Sequence, residues 1–125
     1  MKEVLFNLLK NSRSDYFNYP VSAALVFNDG SVSYGVNVET SSPAAGICAE
    51  RNALYSAITK GLNTKEIREI HVMSKTIGAP CFICRQALVD YCNMDVKVFM
   101  YDLDGNTKEY TLNELCTYPF SKENL

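Results

Sequence analysis

A chain of 125 residues and 14.0 kDa has room for one domain of ordinary size, so residues 1–125 are expected to fold as a single domain. With 47% hydrophobic and 21% charged residues it can bury a core, which excludes disorder as its main state. Twelve basic against fourteen acidic residues give a formal charge of −2, which argues against a general affinity for nucleic-acid backbones.

Val4, Leu5, Leu8 and Leu9 recur at helical spacing, predicting an opening helix over residues 3–10 that Asn11-Ser12-Arg13-Ser14 ends. From Val21 the period becomes two. Ala23, Leu25 and Phe27 alternate, Asn28-Asp29-Gly30 supplies turn residues that accept positive φ, and Val32, Tyr34 and Val36 alternate again: a β-hairpin. A small-residue loop, 40–46, leads into a second helix over 48–60, where Ala49, Asn52, Ala53, Ser56 and Ala57 make a closely packable face. Ile67, Ile70 and Val72 indicate a short buried strand. Gly78-Ala79-Pro80 is a loop that stops directly before Cys81, and a third helix is expected over about 82–91. A strand over 96–101, a turn over 102–105 and a strand over 107–110 follow, and Thr111 and Glu114 have capping-box spacing for a last short helix. The order α-β-β-α-β-α-β-β-α contains two crossover steps, hence some parallel pairing and an α/β sandwich with a mixed sheet.

No apolar stretch approaches the ~18–20 residues of a membrane-spanning helix, and Met1-Lys2-Glu3-Val4 lacks the features of a secretory leader. A cytoplasmic protein with no membrane partner is expected. Five cysteines, Cys48, Cys81, Cys84, Cys92 and Cys116, form an odd set that suits reduced thiols better than a disulfide framework.

Cys48-Ala49-Glu50 and, 33 residues later, Pro80-Cys81-Phe82-Ile83-Cys84 each stand at a predicted helix start. The partial positive charge there lowers thiol pKa and favours the thiolate that binds zinc. Three thiolates on one zinc leave an open position for water, which zinc acidifies to a pKa of about 7. Glu50, two residues after the first such thiol, is placed to carry protons beside the metal without binding it. A metal-binding residue, then x-Glu, then Pro-Cys-x-x-Cys is the signature of zinc nucleobase deaminases, in which Cys can replace His.

Other readings of the same residues exist. A structural zinc site would need a fourth ligand, from Cys92 or Cys116, and Cys81-Phe82-Ile83-Cys84 alone would suit a dithiol working by exchange. The exchange reading leaves Cys48 and Glu50 unexplained. His71, inside the apolar Ile70-His71-Val72, reads as structural.

The chain resembles the small, homotetrameric cytidine deaminases over nearly its whole length. Tyr19-Pro20-Val21-Ser22-Ala23-Ala24 is similar to that family's Phe-x-Val-Gly-Ala-Ala strand, and Gly35-Val36-Asn37-Val38-Glu39 to its Gly-x-Asn-x-Glu segment. Cys48-Ala49-Glu50-Arg51 and Pro80-Cys81-x-x-Cys84-Arg85-Gln86 are similar to its metal motifs, and Pro119-Phe120-Ser121-Lys122-Glu123 to its C-terminal end.

The resemblance implies a three-layer α/β/α sandwich around a mixed five-stranded sheet. It implies zinc (Zn2+) on Cys48, Cys81 and Cys84, Glu50 as general base and acid, and hydrolysis of cytidine and deoxycytidine to uridine and deoxyuridine with release of ammonia. Asn37 and Glu39 would bind ribose hydroxyls, the backbone at Ala49 the pyrimidine, and Tyr19 would pack in the nucleoside site. Arg51 would hydrogen-bond the zinc thiolates, and Phe120 would reach the base of a neighbouring subunit in a homotetramer. Departures from the family pattern cluster around the pocket: Tyr19 for Phe, Ser22 for Gly, Pro43 for Tyr, Phe82-Ile83 for Gly-Ala, and Thr117 for Pro. They keep another aminated heterocycle such as blasticidin S in view as substrate, although blasticidin deaminases carry Tyr where this chain has Glu39.

Overall fold

The computed structural model describes residues 1–125. The elements run α1 (Lys2–Leu8), β1 (Ser22–Phe27), β2 (Val32–Val36), α2 (Ala49–Thr59), β3 (Ile67–Met73), α3 (Phe82–Tyr91), β4 (Lys97–Tyr101), β5 (Thr107–Thr111) and α4 (Leu112–Leu115). The predicted order is met. The opening helix is shorter than its apolar stripe suggests, because the chain tightens into a 3-10 turn over Leu9–Asn11 and Ser12 is extended.

The sheet order is β2-β1-β3-β4-β5. β1 is antiparallel to β2 and β3, β3 and β4 run parallel, and β5 returns antiparallel to β4. Local chemistry makes the hairpins: Gly30 takes φ 88° in the β1–β2 turn and Gly105 takes φ 86° in the β4–β5 turn. The parallel pair needs a crossover, which α3 supplies, and α2 carries the chain from edge strand β2 across β1 to β3.

Alternation along the strands then sorts the core into two faces. On one, Leu25, Ile70 and Val98 meet Ala53, Leu54, Ala57 and Leu88 from α2 and α3. On the other, Leu5 of α1 covers Ala24, Met73 and Tyr101. β1 is buried at all six positions, as a central strand covered on both faces must be. His71 lies on the α1 face, with Nδ1 2.8 Å from the Tyr101 hydroxyl, Nε2 3.0 Å from Glu69, and its ring stacked on Phe99. It is a satisfied structural histidine. Cys92 is buried in the larger apolar cluster and Cys116 packs against it.

One contact fixes where the site sits. Gly35 of β2 lies so close to α2 that a Cβ there would come within 2.4 Å of the Ala49 carbonyl oxygen and 2.5 Å of the Ala53 nitrogen. The Ser33 hydroxyl donates to the Ala53 carbonyl at 2.7 Å, and Asn52 Nδ2 donates to the Val36 carbonyl at 3.0 Å. The small face predicted for this helix is what permits the approach. It brings the start of α2 against the end of β2, where the chain runs on into Asn37-Val38-Glu39.

Candidate active site

Cys48 is the N-cap of α2 and Cys81 the N-cap of α3, both with extended backbone, and Cys84 lies in the first turn of α3. Both N-cap thiols stand at helix ends, where free N–H groups and the helix dipole favour thiolate, and Cys81 caps its helix with its side chain. Cys81 Sγ accepts from the Cys84 amide at 3.4 Å, and Arg85 holds the approach to α3 by donating from Nε to the Pro80 carbonyl at 2.7 Å. The three sulfurs lie within 4.8 Å of one another, with Cys48 and Cys81 3.7 Å apart.

The Cys48 thiol is pulled down to about 5, first by the Cys84 thiol beside it and then by Arg51 and Cys81. Cys84, giving its proton toward Cys48 and buried, is pushed up. Burial works against the charge of Arg51, but hydrogen bonds to Cys48 and Cys84 outweigh it and raise its pKa. Arg51 Nη2 lies 3.7 Å from Cys48 Sγ, while its Nε is buried with no hydrogen-bond partner. Three soft sulfur donors close enough to share one ion, with Cys48 drawn toward its anionic state, fit zinc.

Glu50, in the first turn of α2, is only 4% exposed, and burial, followed by the Cys48 thiolate, pushes its carboxyl up to about 7. A buried carboxyl poised near neutrality can both take and give a proton.

Cys48, Glu50, Arg51 and Cys81 line a cavity of about 570 Å³ that Asn37 and Glu39 also line. Val38 pairs with Ile47 on one side and bridges to Arg13 on the other, extending the β2 line into the site. Asn37 Oδ1 accepts from the Val21 amide at 2.8 Å and from the Ser12 hydroxyl, and its Nδ2 donates to the Tyr19 carbonyl at 3.0 Å. Glu39 accepts from the Ser14 hydroxyl and from the amides of Tyr16 and Phe17 at 3.0 and 2.9 Å. The Ser14 bond comes first among the causes that hold its carboxyl below the ordinary value. The Tyr19 hydroxyl, absent from the Phe it replaces, reaches Ser74 Oγ at 3.0 Å and Thr76 Oγ1 at 2.7 Å.

Residues 1–100 match the family model described as the cytidine and deoxycytidylate deaminase zinc-binding region. The chain belongs to this family. A cytidine deaminase of Sporosarcina psychrophila is 36% identical over 112 residues, covering 88% of this chain and 81% of that one. One from Halalkalibacterium halodurans is 36% identical over 110 residues, covering 88% and 83%. The crystal structure of cytidine deaminase from Burkholderia pseudomallei superposes with a TM-score of 0.85 at 33% identity, covering 96% of this chain and 99% of that one. The metal of this deaminase family member is zinc.

Of the residues singled out in the sequence, Tyr19, Asn37, Glu39, Cys48, Ala49, Glu50, Arg51 and Cys81 line the cavity, and Cys84 completes the thiol group. Phe120 does not line it. Its carbonyl accepts from Gln86 Nε2 at 2.9 Å, its ring is exposed, and it lies beyond the span matched by the deaminase family model. Phe17, Ser74, Gly78 and Ala79 also line the cavity, as do Pro43 and Ile83 from among the departures. Nothing in the spacing of the sequence marks Phe17 or Ser74.

Proposed function

We propose that this chain catalyses zinc-dependent hydrolytic deamination of cytidine and deoxycytidine, with Cys48, Cys81 and Cys84 as zinc ligands and Glu50 as general base and acid. The carrying observation is the placement of Glu50, buried with a raised pKa beside a three-thiol group at the end of the cavity. The named relatives at 36% identity support the same reaction. Bound zinc supplies Lewis acidity that readies a water for attack near neutral pH.

Glu50 accepts a proton from the attacking water and delivers one to pyrimidine N3, making C4 more electrophilic. After the water oxygen has added at C4, Glu50 takes the remaining proton from that oxygen and passes it to the amine nitrogen; the C4–N bond then breaks, the C4 carbonyl forms and ammonia leaves. Arg51 offsets the negative charge of the thiolates, and the backbone at Ala49 borders the pyrimidine.

The hydrogen-bond inventory of Asn37 and Glu39 supports a sugar between them. An amide has two donor and two acceptor positions and a carboxylate about four acceptor positions. Asn37 has both acceptor positions and one donor taken, and Glu39 has three acceptor positions taken. One donor and about one acceptor position remain, which one sugar hydroxyl uses in full. On this reading the second ribose hydroxyl adds little, so cytidine and deoxycytidine turn over within about tenfold of each other.

We further propose one domain over residues 1–125, a cytoplasmic location and a homotetramer in which Phe120 serves a neighbour's site. No helix is long and apolar enough to cross a membrane. The exposed Tyr55, Phe82, Ile83 and Tyr91 border one groove on α2 and α3, and support assembly.

The test is ammonia release from cytidine and deoxycytidine by zinc-loaded protein, with Glu50→Gln as blank and blasticidin S in parallel. Release from both nucleosides, lost in the blank, supports the reading; silence on both with zinc bound overturns it.

A further inference from the structure

We infer that Phe17 is a further substrate-contacting residue, presented over the sugar side of the cavity by a loop pinned at both ends. The inference rests on the nucleoside reading above. The loop runs from Ser14 to Tyr19, and its first half is held by the carboxylate of Glu39, which accepts from the Ser14 hydroxyl and the Tyr16 and Phe17 amides. Ser14 also closes the loop on itself, its carbonyl accepting from the Asn18 amide at 3.0 Å and its hydroxyl from the Tyr19 amide at 2.6 Å.

The second half is tied to the segment that leads to Cys81. Lys75 Nζ donates to the Asn18 carbonyl at 2.7 Å, and the Tyr19 hydroxyl bonds Ser74 and Thr76. Gly78 is part of the fit, since a Cβ there would stand 2.8 Å from the Tyr19 hydroxyl. Asn18 takes φ 49°, a left-handed conformation that Asn tolerates better than most residues. The chain thus reverses between Phe17 and Tyr19.

All this order leaves one side chain of the loop at the cavity largely exposed and outside the apolar core. Phe17 lines the cavity, is 73% exposed and belongs to neither apolar cluster. A single exposed aromatic is ordinary. This one differs because its own amide is 2.9 Å from the Glu39 carboxylate, the group assigned to the sugar, so its ring lies within one side chain's reach of that sugar. A flat apolar ring on a fixed backbone gains contact area with the C–H face of a bound sugar at little cost in conformational entropy.

The test is steady-state kinetics on cytidine with zinc-loaded wild type, Phe17→Ala and Phe17→Tyr, with metal content measured for each. Covering roughly half of a Phe side chain corresponds to about a tenfold change in binding. Phe17→Ala is expected to raise KM about tenfold with kcat within about twofold, and Phe17→Tyr to restore KM, with zinc unchanged in both. An unchanged KM in Phe17→Ala overturns the inference while sparing the deaminase reading. Loss of kcat together with zinc would assign Phe17 a structural role and also overturns it. Wild type inert toward cytidine overturns the deaminase reading, and the Phe17 inference with it.

Discussion

At the metal end of the cavity the functional groups come from two short runs, 48–51 and 81–84, whose members are neighbours in sequence as well as in space. At the sugar end, Asn37 finds Ser12 across 25 positions and Val21 across 16, and Glu39 finds Ser14 across 25. At the first end each of two helix starts aims its own thiols or carboxyl by local geometry, and packing has only to bring those two starts together. The second exists only once the β2 line, the 12–19 segment and the 74–78 segment have packed together. The metal end should therefore respond to substitution through chemistry, and the sugar end through KM and the state of its loops.

The largest expected effect tests the chemical side. Glu50→Gln preserves size and removes the proton carrier, so turnover should fall about 10²- to 10⁴-fold with zinc content unchanged. Metal analysis beside steady-state rates checks it, and a zinc-bound variant with wild-type turnover would remove Glu50 from the mechanism. Next comes Arg51, which touches the thiolate of Cys48 and not the cavity's far end. Arg51→Gln should weaken zinc affinity or activity about 10- to 100-fold, the usual cost of losing a group that orients a metal ligand. Competition with a chelator measures the affinity, and unchanged metal retention would count against the role.

Gly35 is where the contrast breaks down. It belongs to β2, yet the start of α2 lies against it, so the position of the metal end also depends on a strand far from its own motifs. In Gly35→Ala the added carbon would meet backbone atoms on both α2 residues, and backbone cannot turn away as a flexible side chain can. The expected cost is about 1–3 kcal/mol of stability from overpacking. A lower denaturation midpoint with an unchanged denaturant slope would show it; a wild-type midpoint would mean that α2 shifts freely.

Legibility in the sequence follows the same divide. The Asn-Asp-Gly turn, the small face of α2 and the thiol motifs could all be read from neighbouring residues, and Thr111 and Glu114 do form the expected capping box. Asn37 and Glu39 came only through resemblance, because nothing in a polar strand end announces what it will bond. The site roles of Ser12, Ser14 and Ser74 are not legible in the sequence for a physical reason. A hydroxyl is satisfied equally well by water, so its partner is fixed by tertiary packing rather than by local propensity. Phe120 is legible as a motif, but its own chain does not bring it to the cavity.

The smallest expected effect belongs to the sugar end and is a matter of pH. Glu39 accepts three hydrogen bonds, and its folded pKa lies below the ordinary 4.5, with the Ser14 hydroxyl as the largest cause. In the unfolded chain those bonds are gone and the carboxyl returns to its ordinary value. The folded state therefore binds this proton more weakly than the unfolded state does. Its stabilisation is fully present above about pH 4.5 and is lost as the pH falls through the lower folded value. The group is only partly buried, so solvent screens it and the contribution is modest. Urea midpoints taken from pH 6 down to pH 3 should fall less steeply in Glu39→Gln than in wild type, with Ser14→Ala in between. Parallel curves for all three would mean that the 14–17 loop is held by its own backbone bonds, and that the sugar end is less dependent on distant partners than its geometry indicates.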